Sequence, residues 1–270
     1  MQIIRLEMKI CSWNINSVRL RENLVLRLLK EHAPDIICLQ ECKALVADIP
    51  IKSFSKIGYK HIIARGQKSY NGVAIFSKVP FKKEFSFDFA GLGQARHIAG
   101  ELENGVVIHN FYVPAGGDEP NEEKNQKFAQ KLKFLIDMKD WFELNQSKKA
   151  ILVGDLNIAP YDDDVWDHKK MSKVVSHTPI EINYLLKVMK AGNWIDLFRE
   201  TQPTGKLYSW WSYRARDWDI ADKGRRLDHI WSTPDLLKFN TKNFIVREVR
   251  GWERPSDHAP IFSDFEGIAL

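Results

Sequence analysis

The sequence predicts an α/β fold, a four-layer α/β sandwich in which two packed mixed β-sheets are flanked by helices. The first observation is a strand-helix-strand pattern near the start of the chain, followed by a series of short strand-like runs. The second is a renewed alternation of helices and strands after residue 120. Two halves of this composition would pack naturally as two sheets covered by helices.

The first unit begins with a predicted strand over residues 8–13 and a predicted helix over residues 18–32. Apolar residues recur at helical spacing within that helix, and Pro34 ends it. A buried strand is predicted over residues 35–39. A strand-helix-strand unit favours a parallel strand pair with its chemistry at the strand ends, where Glu41 lies.

The middle of the chain contains short runs with strand-like composition, separated by turn residues. These predicted strands cover residues 61–64, 72–76, 97–102 and 106–113. The sequence Glu103-Asn104-Gly105 between the last two runs is a strong hairpin signal.

The second half begins with a long amphipathic helix predicted over residues 121–144, which leads into an apolar strand over residues 150–153. A further helix is predicted over 180–189, with strands over 207–211, 228–231 and 244–249. No linker or low-complexity tract divides the chain, so we expect one domain over residues 1–270, with residues 1–7 as a disordered extension.

Charge and cysteine content restrict the class of protein. A net charge of +5 favours a polyanionic partner without demanding one, because solubility alone would also explain it. Three cysteines within the first 42 residues form no disulfide framework, which favours a reducing cytoplasm. The start of the chain resembles neither a secretory signal nor an anchor, and no apolar run approaches spanning length. We therefore expect a cytoplasmic monomer that has no membrane contact.

The most informative motif is Gly154-Asp155-Leu156-Asn157, which follows an apolar strand. Residues two apart in extended geometry point the same way, so Asp155 and Asn157 could together orient a water molecule. The carboxylate would act as general base, and the amide would hold a substrate oxygen or metal-bound water. A polar turn stabilised by hydrogen bonds to the backbone explains the motif equally well.

Other polar residues also end apolar runs. Glu41 follows a buried strand as a hard oxygen ligand for magnesium or manganese should, although a solvated loop residue is the commoner explanation. His258 precedes an apolar run and could donate to a phosphate oxygen. It then needs a carboxylate that fixes its tautomer, and Asp228 is placed to serve; a structural histidine remains the alternative.

Three weaker candidates are Asn14, Asn16 and Tyr112, each of which is more often structural than catalytic when taken singly. Tyrosine could donate to the transferring phosphoryl group or to the leaving group. Residues 206–226 interleave aromatic and basic side chains, which could stack on bases and contact phosphates. An aromatic core beside a solvated loop is the alternative for that stretch, and Arg96 is a still weaker basic candidate.

Six motifs in order resemble the exonuclease III family of abasic-site endonucleases, part of the endonuclease/exonuclease/phosphatase superfamily. They are Ser12-Trp13-Asn14-Ile15-Asn16, Leu39-Gln40-Glu41, Tyr112-Val113-Pro114, Gly154-Asp155-Leu156-Asn157, Leu227-Asp228 and Pro255-Ser256-Asp257-His258-Ala259-Pro260. The resemblance covers residues 8–267 and implies a four-layer α/β sandwich and a role in base-excision repair.

The resemblance also implies roles for individual residues. The implied catalytic residues are Tyr112, Asp155, Asn157, Asp228 and His258. The implied metal-site residues are Asn14, Asn16, Glu41, Asp155, Asn157, Asp257 and His258, with Mg²⁺ as cofactor and Mn²⁺ as a substitute. Arg96 is implied to contact DNA, and Trp210 and Leu227 to line the pocket for a flipped-out abasic sugar.

Two loops depart from what the family resemblance leads us to expect, namely Ala115-Gly116-Gly117 and residues 212–224. Our leading hypothesis is magnesium-dependent cleavage of double-stranded DNA 5′ to an abasic site, with trimming of blocked 3′ ends by 3′-to-5′ exonuclease and 3′-phosphatase activity. The departing loops leave the balance of these activities open. The alternatives are a phosphoesterase for inositol phosphates or sphingolipid headgroups, and a non-catalytic nucleic-acid-binding module.

Overall fold

The computed structural model describes residues 7–270 as two β-sheets with helices outside them. The strands are β1 (Glu7–Asn14), β2 (Ile36–Gln40), β3 (His61–Arg65), β4 (Val73–Ser77), β5 (Phe81–Phe85), β6 (His97–Leu102), β7 (Val107–Tyr112), β8 (Ala150–Asp155), β9 (Ile195–Asp196), β10 (Asp228–Ser232), β11 (Asn240–Ile245) and β12 (Ile261–Glu266). The helices are α1 (Glu22–His32), α2 (Ile51–Lys56), α3 (Gln126–Leu144), α4 (His168–Met171), α5 (Pro179–Ala191), α6 (Leu197–Thr201), α7 (Trp218–Ala221) and α8 (Pro234–Leu237). Residues 1–6, most of the predicted extension, lie outside the described part of the chain.

The strands form two six-stranded mixed sheets that pack face to face. The first has the order β11-β12-β1-β2-β4-β3, and the second has the order β5-β6-β7-β8-β10-β9. Apolar side chains from both sheets form one core cluster between them, including Ile10 and Ile75 from the first and Ile108 and Ile230 from the second. Each of these four residues is 0% exposed, so the centre of the interface between the sheets is removed from water.

Helices cover the outer face of each sheet. Val25 and Leu28 of α1 pack with Ile37 on the first sheet, and Leu135 of α3 packs with Leu152 on the second. The resulting order of helix, sheet, sheet and helix confirms the predicted four-layer α/β sandwich. Within residues 7–270, no helix is long and apolar enough to cross a bilayer.

The predicted strand-helix-strand unit is confirmed, because β1 and β2 pair in parallel on either side of α1. The helix begins at Glu22, later than predicted. Before it, the backbone amides of Ser17 and Val18 donate to the carbonyls of Glu41 and Cys42. These tertiary hydrogen bonds hold the start of the predicted helix against the loop after β2.

The predicted hairpin at Glu103-Asn104-Gly105 is also confirmed: β6 and β7 pair antiparallel, and the Gly105 amide donates to the Leu102 carbonyl at 2.9 Å. The long helix α3 starts at Gln126, where the Asn125 side chain accepts a hydrogen bond from the Lys127 amide as an N-cap.

One predicted strand is wrong, and another is displaced. Residues 207–211 form no strand, and Trp210 makes only isolated bridges to Arg225 and His258. The strand predicted over 244–249 is displaced, because β11 ends at Ile245 and a short 3₁₀ helix covers Arg247–Gly251. Strand β5 was not predicted, and neither was the two-residue strand β9. The three central residues of β5 are exposed and charged, a composition that suits a sheet edge and gives no core-facing periodicity.

Candidate active site

Strand pairing brings the candidate residues of the second sheet together. In parallel β7 and β8, Tyr112 stands opposite Asp155, and in antiparallel β8 and β10, Asp155 stands opposite Asp228. In the first sheet, Asn14 at the end of β1 stands opposite Gln40, the residue before Glu41. The predicted clustering of chemistry at strand ends therefore follows directly from the register.

Gly154 allows β7 and β8 to meet closely beside the site. Its φ is +140°, and a Cβ atom there would collide with the carbonyl oxygen of Phe111 on the neighbouring strand. Any side chain would push apart the two strands that carry Tyr112 and Asp155. The close approach of β7 and the positive φ therefore require glycine at this position.

Asp155 lies at the centre of the polar cluster and is 1% exposed. Asn14 donates to its Oδ2 at 2.8 Å, and the side-chain amide of Asn157 donates to the same oxygen at 3.1 Å. Asn157 lies beyond the end of β8 with a φ of +53°, so the extended geometry predicted there is wrong. The contact forms because the Asn157 backbone amide also turns back to Asp155, at 2.9 Å.

His258 and Asp228 form a buried pair beside Asp155. The Nδ1 atom of His258 lies 2.8 Å from Oδ2 of Asp228, and Nε2 lies 3.7 Å from Oδ2 of Asp155. Ser209 donates from its hydroxyl to Asp228 at 2.6 Å, which fixes the carboxylate. Asp228 therefore stands where the tautomer-fixing partner of His258 was expected.

Burial and neighbouring charges shift the protonation of this group. Burial raises the pKa of Asp155 to about 7, although the nearby His258 opposes the rise. Burial by itself lowers the pKa of His258, but the carboxylates of Asp228 and Asp155 outweigh it and raise that pKa to about 10. The pair thus favours an imidazolium next to a carboxyl group that can exchange a proton near neutrality.

Glu41 faces this cluster from the end of β2 in a left-handed backbone conformation, with a φ of +50°. Its carboxylate accepts hydrogen bonds from Asn14 at 3.0 Å and from the Tyr112 hydroxyl at 2.6 Å, and Lys43 lies 2.8 Å away. Burial alone raises the pKa of Glu41, but Lys43 and these donors outweigh it and lower the pKa. The side chain is thus held ionised.

Asn16 and Asp257 extend the cluster towards solvent. Asn16 donates to Asp257 at 3.2 Å, and its own amide oxygen accepts from Lys43 at 2.6 Å. Trp210 donates from its indole nitrogen to the other oxygen of Asp257 at 3.0 Å. The structure therefore places every predicted metal-site residue in one connected network.

The donor set suits a hard divalent cation. Carboxylate and amide oxygens dominate it, which are the ligands that Mg²⁺ and Mn²⁺ prefer. Lys43 was not predicted as part of the site, yet its ammonium group bridges oxygens of Glu41 and Asn16, so these oxygens are already arranged around a positive charge. Asp155, Asp228 and His258 also present ligand atoms that could hold a metal ion.

The candidate DNA contacts lie around the same network. Arg96 donates to the Tyr112 carbonyl at 3.2 Å, and its guanidinium lies over the Tyr112 ring at 4.7 Å. A cleft of about 540 Å³ beside it is lined in part by Tyr70 and Lys127. Trp210 and the buried Leu227 share one apolar cluster on the other side.

The aromatic and basic stretch divides into two parts. Tyr208 and Trp211 are buried with Ala259, and Arg226 is buried in ion pairs with Asp164 and Asp196. For these residues the alternative of an aromatic core is correct. The second part faces solvent and includes Tyr213, which is 49% exposed.

Lys131 is a second residue that the sequence analysis missed. It is 0% exposed, forms an ion pair with Glu181, and donates to the carbonyls of Ala115 at 3.2 Å and Asn157 at 2.8 Å. The missed signal is a lysine on the apolar face of α3, beside Phe128. Buried lysines are rare unless they are paired, so this position indicated a specific partner.

The chain is similar to known proteins over nearly its whole length. The model of the endonuclease/exonuclease/phosphatase family matches residues 11–258. Exodeoxyribonuclease III of Haemophilus influenzae is 31% identical over 96% of this chain and 100% of its own length.

Two solved structures have the same fold. An AP endonuclease from Archaeoglobus fulgidus superposes with a TM-score of 0.89 and 30% identity, covering 96% of this chain and 99% of that one. A 3′ phosphatase from Neisseria, solved with a product DNA hairpin, has a TM-score of 0.88 and 31% identity, with 96% and 99% covered.

These similarities confirm the predicted class of enzyme, a DNA repair nuclease that hydrolyses phosphodiester bonds. They also extend over nearly all of the chain, as the six sequence motifs do. The chain belongs to the endonuclease/exonuclease/phosphatase family and, within it, to the group that resembles exodeoxyribonuclease III and the AP endonucleases.

Proposed function

We propose that this enzyme cleaves double-stranded DNA on the 5′ side of an abasic site in a magnesium-dependent reaction, and that the same centre trims blocked 3′ ends. The observation that carries the proposal is the close contact among Asp155, Asn157, Asp228 and His258. Relatives that are an AP endonuclease and a 3′ phosphatase support both activities.

Asp155 is the proposed general base. A pKa of about 7 lets its carboxylate take a proton from water at neutral pH. The side-chain amide of Asn157 donates to Oδ2 of Asp155 and, at 2.9 Å, to the Val113 carbonyl. These two hydrogen bonds fix the position of Asn157 relative to the base. The pair would hold water in line with the scissile phosphorus, and the upstream fragment would leave with a 3′-hydroxyl.

His258 is the proposed donor to the phosphoryl oxygen. Its Nδ1 is engaged by Asp228, and Nε2 has no hydrogen-bond partner within residues 7–270. An imidazolium held in this way can donate to oxygen that gains negative charge in the transition state. Tyr112, whose hydroxyl donates to Glu41, stands at the opposite side of the cluster to assist the leaving group.

Glu41 and Asp257 are the proposed carboxylate ligands of Mg²⁺, with Asn14, Asn16, Asp155, Asn157 and His258 around them. When bound, the ion supplies positive charge that polarises the phosphate and favours ionisation of nearby water. In the orientation present here Asn14 acts as a donor that positions both Glu41 and Asp155.

The side chains that surround this cluster are the proposed DNA contacts. Arg96 and Lys127 offer positive charge to the phosphate backbone, while Trp210 and Leu227 offer an apolar wall to an extruded sugar. Opening a duplex costs least where a base is already missing, which favours abasic sites over intact DNA.

The test is incision of a duplex that carries one abasic site, with the product ends mapped. The proposal expects magnesium-dependent cleavage on the 5′ side, a 3′-hydroxyl product, and loss of cleavage in EDTA. Parallel assays use a 3′-phosphate duplex, an inositol phosphate and a sphingolipid headgroup. Failure to cut abasic DNA in magnesium, or turnover that prefers the small phosphoesters, would refute the assignment.

A further inference from the structure

A second cluster of potential metal ligands lies outside the site described above, and the proposed reaction does not use it. Asp162, His168 and His177 present one ligand atom each within a small volume. The Nδ1 atom of His168 lies 2.8 Å from Nε2 of His177 and 3.0 Å from Oδ1 of Asp162. These residues come from a 3₁₀ turn, helix α4 and the segment before α5, so tertiary folding brings them together.

The contact between Nδ1 of His177 and the Ala159 carbonyl fixes the tautomer of the His177 ring. Nδ1 of His177 lies 2.6 Å from the Ala159 carbonyl, which can only accept, so Nδ1 carries the proton. In the neutral ring Nε2 is then an acceptor that points at His168. Metal-binding histidines are commonly oriented in this way by a backbone carbonyl.

The cluster has fewer hydrogen-bond donors than acceptors. A carboxylate oxygen of Asp162 and Nε2 of His177 both accept, and a neutral His168 can supply a single Nδ1–H to the two of them. A cation would satisfy all three groups at once.

We propose that Asp162, His168 and His177 form a binding site for a borderline transition-metal ion of the Zn²⁺ class. Two imidazoles and one carboxylate suit Zn²⁺, Co²⁺ or Ni²⁺, whereas Mg²⁺ prefers oxygen ligands. The side chains of Asp162 and His168 are 77% and 45% exposed, so an ion can enter and keep water as a further ligand.

The geometry needs little adjustment to accept such an ion. Zinc–nitrogen distances of about 2.0–2.1 Å place tetrahedral nitrogen ligands about 3.3 Å apart. The two histidine nitrogens, now 2.8 Å apart, must separate by a few tenths of an ångström. His168 can move by that amount because it lies on the short, exposed helix α4.

The site lies behind one wall of the proposed sugar pocket. The backbone amide of Ala159 donates to the Ser176 carbonyl, and Ala159 packs with Leu227 in the same apolar cluster as Trp210. Arg225 donates to the Ser176 hydroxyl at 2.8 Å and lies under the Trp210 ring at 5.0 Å. A bound ion would therefore brace the segment from residue 159 to 177 against that wall.

The test measures binding of Co²⁺ and Zn²⁺ to the full chain in excess Mg²⁺, by Co²⁺ absorption and isothermal titration calorimetry. We expect one site per chain that resists Mg²⁺, and a rise of about 5 °C in Tm at a hundredfold excess over Kd. Asp162→Asn and His168→Gln, both at exposed positions, should weaken binding at least tenfold and remove the rise in Tm.

Two controls separate this site from the catalytic centre and from unspecific binding. Asp235→Asn changes another exposed carboxylate, and Glu41→Gln removes a carboxylate from the candidate active site. Both variants should retain the site at wild-type affinity. The proposal is overturned if the wild-type chain has no Mg²⁺-resistant site, if His168→Gln binds as tightly as wild type, or if Glu41→Gln abolishes binding.

Discussion

The floor and the rim of the candidate active site are built differently. The floor consists of Asn14, Asp155, Asp228 and His258, each at most 4% exposed. The rim consists of Tyr70, Arg96, Trp210 and Tyr213, of which Tyr70 and Tyr213 are 69% and 49% exposed. Asn14, Asp155 and Asp228 lie on strands, and His258 lies in the segment before β12. Hydrogen bonds and close ion pairs connect these four residues, whereas the rim residues lie on loops.

The buried floor and the exposed rim suit different tasks in the proposed reaction. A general base and a hydrogen-bond donor to the phosphoryl oxygen must hold their geometry closely and work in a region of low dielectric, which a buried site provides. A surface that receives DNA must desolvate and adjust, which exposed aromatic and basic side chains can do. We therefore expect floor variants to lose turnover and rim variants to lose binding.

Asp155→Asn should have the largest effect, a fall in kcat of about 10²–10⁴-fold, because an amide cannot take the proton of the attacking water. The affinity for abasic DNA should stay within about threefold, since Asp155 is only 1% exposed. Single-turnover incision and equilibrium DNA binding measure the two quantities. Turnover within tenfold of wild type would remove Asp155 from its proposed role.

Lys131→Met tests the support beneath the site, because Lys131 donates to the backbone carbonyls of Asn157 and Ala115. The variant leaves Glu181 as an unpaired buried charge, so the free energy of unfolding should fall by about 3–5 kcal/mol in urea titrations. Lys133→Met is the matched control on the same helix. Its ion pair with Asp137 is exposed and should contribute less than about 1 kcal/mol. Equal losses of unfolding free energy in the two variants would contradict a specific role for the buried Lys131–Glu181 pair.

Asp228→Asn should lower kcat about 10²-fold, since the imidazolium of His258 loses the neighbouring carboxylate that favours it. The pH profile gives a second readout. The wild-type pKa of about 10 keeps His258 protonated, and activity should fall as pH rises through that value. In the variant the alkaline fall should begin at lower pH. An unchanged alkaline limb would show that His258 does not act as the proton donor.

Trp210→Ala should have the smallest effect, a loss of about tenfold in affinity for abasic DNA with kcat little changed. Trp210→Phe keeps a ring at this position but removes the hydrogen bond to Asp257. It should bind within about threefold of wild type, which separates stacking from positioning of Asp257. A kcat loss in Trp210→Ala comparable with that of Asp228→Asn would place Trp210 in the floor instead.

Many site residues could be predicted from sequence because they lie at either end of apolar runs, and strand ends meet at the edge of a sheet. Tyr112 and Asp155 are neighbours by strand register. Glu41 belongs to the other sheet and is connected to Asp155 through Asn14, which donates to both carboxylates. Contacts that depend on loop geometry could not be found. The positive φ of Asn157 and the ammonium of Lys43 between Glu41 and Asn16 follow from tertiary packing, which no periodicity records.

The rim was harder to predict for a related reason. Residues 206–226 show a mixture of aromatic and basic side chains that fits a DNA surface and a packed core alike. Burial separates the two: Trp211 is 1% exposed, whereas Tyr213 is 49% exposed. Composition could not assign neighbouring residues to opposite sides of the surface, because the segment has no regular strand or helix over 207–211 to give it a period.

The central claim is that the floor directs water at the phosphorus on the 5′ side of an abasic site. The most direct measurement is incision of an abasic duplex in ¹⁸O-water, with mass analysis of both new ends. The account predicts one ¹⁸O atom in the 5′-phosphate of the downstream fragment and an unlabelled 3′-hydroxyl upstream. An unlabelled phosphate, or a 3′ end produced by elimination at the sugar, would contradict it.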